Sequence, residues 1–393
     1  MLLKVSRYHS YINSAKEILT LYKGEEPLSS FLKKYFSANK KFGSKDRKAV
    51  NHLCYCYFRL GKAAMSLTIE ERILTGLFLC TNGSNDILGA LRPEWNEKNS
   101  ASTDEKLLVI NYPLLINQVF PWKEELSDGV DHEKFSKSYF IQPDVFLRVR
   151  PQKMEAVINK LKTADLKFQI VGNDCIALPG ATKLEDILEI DKEVVIQDLN
   201  SQKTGGFIKS GIINHKSEIK VWDCCAGSGG KSMMAYDIDP NIELSVSDIR
   251  ESILANLKRR FQRAEIKKYK IFVADLAGEG FGIPDAGYEV IICDAPCSGS
   301  GTWARTPEQL YFFDKSEIER YSALQKKIVS NVIPHLNSNG SFIYITCSVF
   351  KRENEELVEF IKQNFHLQLR QMEVLKGYDL KADSMFVAVF EKL

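Results

Sequence analysis

VWDCCAGSGGKS, residues 221–232, decides the fold of the C-terminal half of this 393-residue chain. It follows a predicted strand and opens a predicted helix, and its small residues let the backbone turn tightly and approach a ligand closely. Glycine-rich loops of this kind bind NAD, ATP and S-adenosylmethionine alike. The loop does not match the P-loop pattern, because Ala226 stands at its first glycine position, and it does not match G-x-G-x-x-G. The loop alone therefore predicts a cofactor site without identifying the cofactor.

Strands and helices alternate from about residue 218 to the end of the chain. The predicted strands are IKVWD, ELSVSD, KIFVAD, YEVIICD, SFIYITC and MFVAVFE. This alternation predicts a doubly wound sheet that binds ligands at the carboxyl ends of its strands. Asp248, Asp275 and Asp294 each close one of these strands, which favours a nucleoside-bearing cofactor with Asp248 on the ribose and Asp275 near the adenine. The alternative is that each aspartate only caps a helix or turn.

Two cysteines follow neighbouring predicted strands. Cys297 lies in DAPCSGSG, residues 294–301, and Cys347 lies in SFIYITCS. Because parallel strands end at the same crevice, we expect both thiols beside the reactive end of the cofactor. The alternative is that both are small buried hydrophobic residues, as we expect for Cys293. Their positions in a turn and at a strand end favour function, since functional residues concentrate there.

A pair of thiols suits methylation of cytosine at carbon 5, which is a poor nucleophile. A thiolate that adds to carbon 6 makes the ring an enamine, and carbon 5 then attacks an electrophilic methyl group. A second group must assist loss of the carbon 5 proton and release of the enzyme sulfur. A nearby cation would lower the pKa of the nucleophilic thiol, and Lys231 is a candidate.

The N-terminal half has a different character. The first 92 or so residues show helical periodicity, and the polar segment 94–106 is predicted to be a loop or linker. Cys54 and Cys56 lie in a helical stretch without a second ligand pair, so we expect them in the core rather than on a metal, and we expect no metal site in the chain. Residues from about 139 to 200 mix short strands and a helix, which predicts a small α+β unit.

Charge and composition narrow the class of protein. Residues 1–62 hold thirteen Lys and Arg against four Asp and Glu, a net charge of +9, whereas the whole chain carries +2. This surplus is either a solvated helix face or a surface that attracts phosphates. No apolar run approaches the roughly 18 residues of a membrane span, no export signal opens the chain, and its nine cysteines are scattered. We therefore expect a cytoplasmic protein with reduced thiols and no membrane association.

DCCAGSGGK, DAPCSGSG and TCS at 346–348 together resemble the RNA (cytosine-5)-methyltransferases of the Sun/Fmu/RsmB and Nop group. The resemblance implies a multidomain protein. It comprises an all-α, NusB-like RNA-binding domain over 1–135, a small ferredoxin-like α+β domain over 136–200, and a Rossmann-like class I methyltransferase domain over 201–393. The last would hold a mostly parallel, seven-stranded sheet. The resemblance also implies a monomer whose partner is RNA, ribosomal RNA first, and whose methyl donor is S-adenosylmethionine.

The same resemblance implies roles for individual residues. Cys347 would attack carbon 6, Cys297 would assist release of the product, and Asp294 would touch the cytosine and help hold the methyl donor. Asp248 and Asp275 would bind the ribose and the adenine side. The methionine end of the donor would contact the loop formed by Cys225, Ala226, Gly227, Ser228, Gly229, Gly230 and Lys231. The family often places an arginine five residues after the ribose acid, where this chain has Ile253; Arg250 is the nearby arginine.

Three other functions compete with methylation of small-subunit ribosomal RNA. A transfer RNA substrate is one, and a non-catalytic ribosome assembly factor on the same fold is another. A DNA cytosine-5 methyltransferase is disfavoured, because its Pro-Cys nucleophile is typically followed by Gln and Ser298 follows Cys297 here. Bases stacked in a duplex are closed to attack, so we expect the target cytidine to be single-stranded, looped or flipped out.

Overall fold

A computed structural model describes residues 2–112, 115–180, 182–213, 215, 219–278, 282 and 287–393. The chain forms two compact units. Unit 1 comprises Met1–Glu124, Asp131–Gln142 and Thr302–Asp314, and unit 2 comprises Glu125–Val130, Pro143–Gly301 and Lys315–Leu393. Short 3₁₀ turns lie at Lys123–Glu125, Ser300–Thr302, Ile333–His335 and Tyr378–Leu380.

Unit 1 is helical over its described residues. Its helices are α1 (Leu2–Leu21), α2 (Leu28–Ala38), α3 (Ser44–Arg59), α4 (Ile69–Cys80), α5 (Asp86–Leu91), α6 (Pro93–Glu97), α7 (Thr103–Val109), α8 (Leu115–Val119), α9 (His132–Ser138) and, later in the chain, α14 (Pro307–Phe312). Cys54 and Cys56 are fully buried in its apolar core, which confirms the expectation that they are packing residues. The NusB-like character of this unit stays a prediction.

The segment 94–106 is not the loop that its polarity predicts. It contributes to the helices α6 and α7, which are too short to show a clear apolar period. Ser102 caps α7 and exchanges hydrogen bonds with Glu105, while Trp95 in α6 packs on Phe78 with the ring centroids 5.3 Å apart. A capping box of this kind satisfies two backbone donors in a helix too short to show a hydrophobic period.

Unit 2 begins with a small antiparallel sheet. Its elements are β1 (Val145–Val149), α10 (Met154–Thr163), β2 (Gln169–Ile170), β3 (Cys175–Leu178) and β4 (Val194–Ile196), and the strand order is β2-β3-β1-β4. The predicted mixture of short strands and a helix is therefore present. The likeness to a ferredoxin-like domain, and the three-domain division of the chain, stay predictions.

The rest of unit 2 is a seven-stranded sheet flanked by helices. Its elements are α11 (Leu199–Ile213), β5 (Lys220–Asp223), α12 (Gly230–Ile238), β6 (Glu243–Asp248), α13 (Glu251–Arg263), β7 (Tyr269–Val273), β8 (Tyr288–Asp294), α15 (Ser316–Val332), β9 (Leu336–Thr346), α16 (Glu355–Asn364), β10 (Leu367–Leu375) and β11 (Met385–Lys392). The order is β10-β11-β9-β8-β5-β6-β7, with β10 and β11 antiparallel to their neighbours and the other pairings parallel.

The residue pattern missed β10, which lies at the edge of the sheet and whose residues are mostly exposed. Successive residues of the parallel strands point to opposite faces of the sheet, so each strand feeds two cores. Val221 and Ile292 belong to one apolar cluster, whereas Trp222 and Ile291 belong to the other. Helices on both faces cover these cores, which leaves the carboxyl ends of β5, β6, β8 and β9 open for a site.

A buried ion cluster joins the small sheet to α12 within unit 2. Arg148 of β1 and Arg150 place guanidinium nitrogens 2.5 and 2.7 Å from the two carboxylate oxygens of Asp237. The Asp237 side chain is only 7% exposed. The two guanidinium groups compensate the charge of this buried carboxylate. Without them the carboxylate would be an unpaired buried charge, which is strongly destabilising.

We predict that Asp237→Asn lowers the free energy of unfolding by about 3–5 kcal/mol, since it leaves two largely buried guanidinium groups without their counter-charge. Chemical denaturation monitored by circular dichroism measures this change. Glu359→Gln is the matched control, because it breaks an exposed ion pair with Lys362 in α16 and should change stability by less than about 0.5 kcal/mol. Equal effects of the two substitutions would contradict the structural role of Asp237.

Candidate functional site

The two predicted cysteines meet at the carboxyl edge of the large sheet. Cys297 follows β8 and Cys347 follows β9, and these parallel neighbours pair Asp294 with Ile345. The Ala295 amide donates to the Ile345 carbonyl at 2.9 Å. The two Sγ atoms are 3.3 Å apart, and both side chains are partly buried. The expected convergence of the two thiols is therefore present.

The thiols are not equivalent in their surroundings. The hydrogen bond to Cys347, together with burial, raises the pKa of Cys297 well above its ordinary value. Either sulfur can act as the donor in this contact.

A buried carboxylate, Glu353, ties the two cysteine-bearing loops together. Its oxygens accept hydrogen bonds from the Ser298 amide at 2.8 Å and the Ser348 hydroxyl at 2.7 Å, so it reaches the residue after each cysteine. The Gln325 amide of α15 also donates to it at 3.1 Å. Burial raises the pKa of Glu353, although these donors oppose the shift. Residue patterns gave no sign of this role, because Glu353 stands among charged residues just before α16.

Lys231 and Asp294 form the second polar contact of the site. The Lys231 Nζ lies 2.6 Å from Asp294 Oδ2, and the lysine side chain is only 7% exposed. Burial lowers the pKa of Lys231, but the charges of Asp294, Asp223 and Cys347 outweigh that effect and raise it. The lysine is therefore a fixed cation that holds Asp294 in place and also lies within electrostatic reach of Cys347.

The glycine-rich loop between β5 and α12 has the tight backbone that its sequence predicts. Gly229 has φ +85°, and a Cβ atom there would lie 2.8 Å from the Phe261 ring, so both conformation and space favour glycine. The Gly227 amide donates to Asp248 Oδ2 at 3.0 Å. The loop is thereby fixed to the end of β6.

A cavity of about 450 Å³ opens beside these residues. Four of the predicted cofactor residues line it: Cys225, Asp248, Asp275 and Asp294. Cys297 reaches the same cavity, whereas the residues from Ala226 to Lys231 are not part of its wall. Their contacts with a cofactor stay predictions. Apolar side chains complete the wall, among them Tyr321, Leu324 and Ile328 of α15, which no sequence motif indicated.

Asp248 has a partner that the sequence left undecided. Arg250 places Nε 3.0 Å from Asp248 Oδ1, and its own amide donates to the same oxygen at 2.9 Å. The arginine side chain is 61% exposed, so it can move aside for a ligand at little cost. Asp275 accepts from the Ala277 amide at 3.1 Å, which orients its carboxylate at the end of β7.

Comparison with known proteins finds a family that matches the part of unit 2 containing the large sheet. Residues 211–389 match the family model described as 16S rRNA methyltransferase RsmB/F. The matched part of the chain is therefore similar to the RsmB/F methyltransferases. Ribosomal RNA small subunit methyltransferase B of Enterobacter sp. strain 638 is 30% identical over 182 residues, 45% of this chain and 40% of that relative. The predicted resemblance to the RsmB/Nop/Sun group is thus confirmed, and the matched region spans less than half of the relative's length.

Two solved structures share the fold of this chain. A methyltransferase homologue from Pyrococcus horikoshii aligns with TM-score 0.58 and 19% identity over 74% of this chain and 98% of its own. NSun6 from Pyrococcus horikoshii, solved with SFG, aligns with TM-score 0.59 and 15% identity over 70% of this chain and 96% of its own. At these identities the similarity establishes the fold alone, and it confirms the predicted Rossmann-like sheet.

We predict that Glu353→Ala slows disulfide formation between Cys297 and Cys347 under a mild oxidant, because the loops are then no longer held at hydrogen-bonding distance. The free energy of unfolding should also fall by about 2–4 kcal/mol, since three buried donors lose their acceptor. Glu356→Ala, at an exposed acidic position in the first turn of α16, should change neither quantity. Unchanged oxidation kinetics in Glu353→Ala would show that the loops hold their spacing without it.

Proposed function

We propose that this chain methylates carbon 5 of a cytidine in RNA through a covalent adduct between Cys347 and carbon 6 of the base. One observation carries the proposal: two thiols 3.3 Å apart at the ends of adjacent parallel strands, with Cys297 in the wall of a cavity. Similarity to the RsmB/F methyltransferases supports RNA methylation in general. The thiol pair supports the cytosine-5 reaction, which is the one that needs a nucleophile and a second group for release.

Each thiol has one task in this reaction. The Cys347 thiolate forms a bond to carbon 6, and the electron pair of the carbon 5–carbon 6 double bond becomes available at carbon 5 for the incoming methyl group. Release then requires that carbon 5 loses its proton to a base and that the sulfur–carbon 6 bond breaks, which restores the double bond. Cys297 is placed to assist this release.

The contact between the two thiols gives a physical reason why Cys347 attacks first and Cys297 acts later, in the release step. In the resting site the hydrogen bond to Cys347, together with burial, raises the pKa of Cys297, which is why we assign the attack to Cys347 and the release step to Cys297. Once the sulfur of Cys347 is bonded to carbon 6, it no longer carries the charge that raised the pKa of Cys297. Cys297 can then give up its proton and take part in the elimination.

S-adenosylmethionine is the methyl donor, and it supplies an electrophilic methyl group. SFG, with which the NSun6 structure was solved, is an analogue of it. The cavity fits such a molecule by its chemistry: the carboxylates of Asp248 and Asp275 stand at its wall, and Ile249 and Leu276 offer apolar surface next to them. Asp248 would take the ribose hydroxyls, Asp275 would face the adenine, and Asp294 would lie next to the reacting carbons, held there by Lys231.

The RNA partner is proposed to be ribosomal RNA of the small subunit. Unit 1 presents a row of exposed cations around the start of α3, namely Lys33, Lys34, Lys40, Lys41, Lys45, Arg47 and Lys48. Such a row neutralises phosphates and releases their counter-ions, so binding through it should weaken steeply with salt. Among the described residues no helix is long and apolar enough to cross a membrane. We further propose that the protein acts as a monomer in the cytoplasm.

We predict opposite outcomes for the two cysteine variants. Cys297→Ser should still attack the base but release it slowly, so incubation with S-adenosylmethionine and substrate RNA should yield a protein–RNA adduct that survives denaturation. Cys347→Ser should give neither adduct nor methylated RNA. Denaturing gels and transfer of a labelled methyl group measure the two outcomes.

Cys175→Ser is the matched control, because Cys175 lies in the small sheet and its loss should leave methyl transfer intact. Methylation by the Cys347→Ser variant would contradict the role assignment, and an adduct formed by that variant but not by Cys297→Ser would reverse it.

We also predict that reversing the charge of Lys40, Lys41 and Arg47 to Glu weakens RNA binding and flattens its dependence on salt, because fewer phosphates are neutralised. The affinity for S-adenosylmethionine should not change. Charge reversal at Lys362 and Arg370, exposed cations of α16 and β10, is the comparison. If the variant in unit 1 binds RNA as tightly as the unaltered protein at every salt concentration, the cationic row is only a solvated helix surface.

A further inference from the structure

The wall of the cavity holds a second group of thiols that the proposed chemistry does not use. Cys224 and Cys225 line the cavity, and Cys293 lies directly behind them. The three Sγ atoms all lie within 4.8 Å of one another. Cys224 and Cys293 are fully buried, whereas Cys225 is partly exposed.

The backbone of two adjacent strands brings these sulfurs together. β5 and β8 are parallel neighbours that pair Asp223 with Ile292. The Cys224 amide donates to the Ile292 carbonyl at 3.0 Å, so Cys224 comes to lie beside Cys293. Cys225 follows at the first position of the glycine-rich loop. Strand pairing thus fixes the positions of Cys224 and Cys293, and Cys225 is the next residue along the chain after Cys224.

We infer that Cys224, Cys225 and Cys293 form a binding site for a thiophilic divalent ion of the Zn²⁺ class. A Zn–S bond of about 2.3 Å puts tetrahedral sulfur ligands roughly 3.8 Å apart, and the observed separations, all within 4.8 Å, are compatible with this spacing. Three sulfur donors exclude hard ions such as Mg²⁺ and Ca²⁺. Each thiol that binds gives its proton to solvent, and no electron is transferred.

The cavity supplies both the entry route and the remaining coordination position. Cys225 lines the cavity and is partly exposed, so an ion reaches the cluster from the cavity side and not through the core. Three protein ligands leave one position of a tetrahedral ion for solvent on that side. The cluster is distinct from the pair Cys297 and Cys347, which lies at the end of the neighbouring strands β8 and β9.

An ion at this site would occupy the wall against which the methyl donor is proposed to bind, a consequence that rests on the proposed function. Ion and donor would then exclude each other, and each would lower the affinity for the other by the same factor. The three thiols would thus make the enzyme sensitive to free zinc.

The test is an anaerobic titration of the reduced full-length protein with Cd²⁺, followed by ultraviolet thiolate-to-metal absorption and by equilibrium dialysis. The unaltered protein should bind one more equivalent of Cd²⁺ than Cys293→Ala or Cys225→Ser. Because Cys293 is fully buried, Cys225→Ser, which changes a partly exposed residue, decides the outcome if Cys293→Ala does not fold. The double variant Cys297→Ser/Cys347→Ser should retain that equivalent.

An equal number of bound Cd²⁺ ions in the unaltered protein and in Cys225→Ser would overturn the site, and so would loss of the equivalent only in Cys297→Ser/Cys347→Ser. Competition is measured separately, as the affinity for S-adenosylmethionine with and without one equivalent of Zn²⁺. If Zn²⁺ binds but the affinity for S-adenosylmethionine does not change, the proposed competition is wrong and the ion site remains supported. Failure of the methylation experiments would not affect the Cd²⁺ titration.

Discussion

The parallel pairing of β8 with β9 is the constraint on which the site depends. Their register places Asp294 opposite Ile345, and each chain leaves its strand on the same edge of the sheet. Three residues beyond Asp294 stands Cys297, and two residues beyond Ile345 stands Cys347. The distance of 3.3 Å between the two sulfurs therefore follows from backbone hydrogen bonds rather than from flexible side chains. A shift of the register would separate the thiols and remove the basis for the proposed chemistry.

Polar groups behind the thiols hold this arrangement at a cost in stability. Glu353 is a buried carboxylate, and a charge in that position is tolerated only because three donors converge on it. Lys231 and Asp294 are a second pair, in which the lysine is buried and the aspartate is partly exposed. Such pairs contribute little net stability, since desolvation offsets their attraction, but they fix geometry. Burial of apolar side chains in the two cores thus offsets the cost of holding these charged groups in defined positions.

Residue patterns predicted the parts of the molecule that depend on local chain order. The glycine-rich loop, the aspartates that close successive strands and the convergence of two thiols follow from strand alternation alone. Glu353 could not be found in this way, because its partners come from three separate elements that only the tertiary fold brings together. Lys231 was expected near a thiol, and its direct contact with Asp294 depends on the path of α12. β10 was missed because an exposed edge strand needs no apolar pattern, and α7 because caps rather than periodicity define it.

The most direct measurement of the central claim is the identity of the residue bonded to the base. RNA containing 5-fluorocytidine should trap the intermediate, because carbon 5 then carries fluorine in place of the proton that elimination requires. Proteolysis of the trapped complex and mass spectrometry should find the modified nucleotide on the peptide that contains Cys347. A nucleotide attached to Cys297, or to any residue outside the pair, would contradict the account.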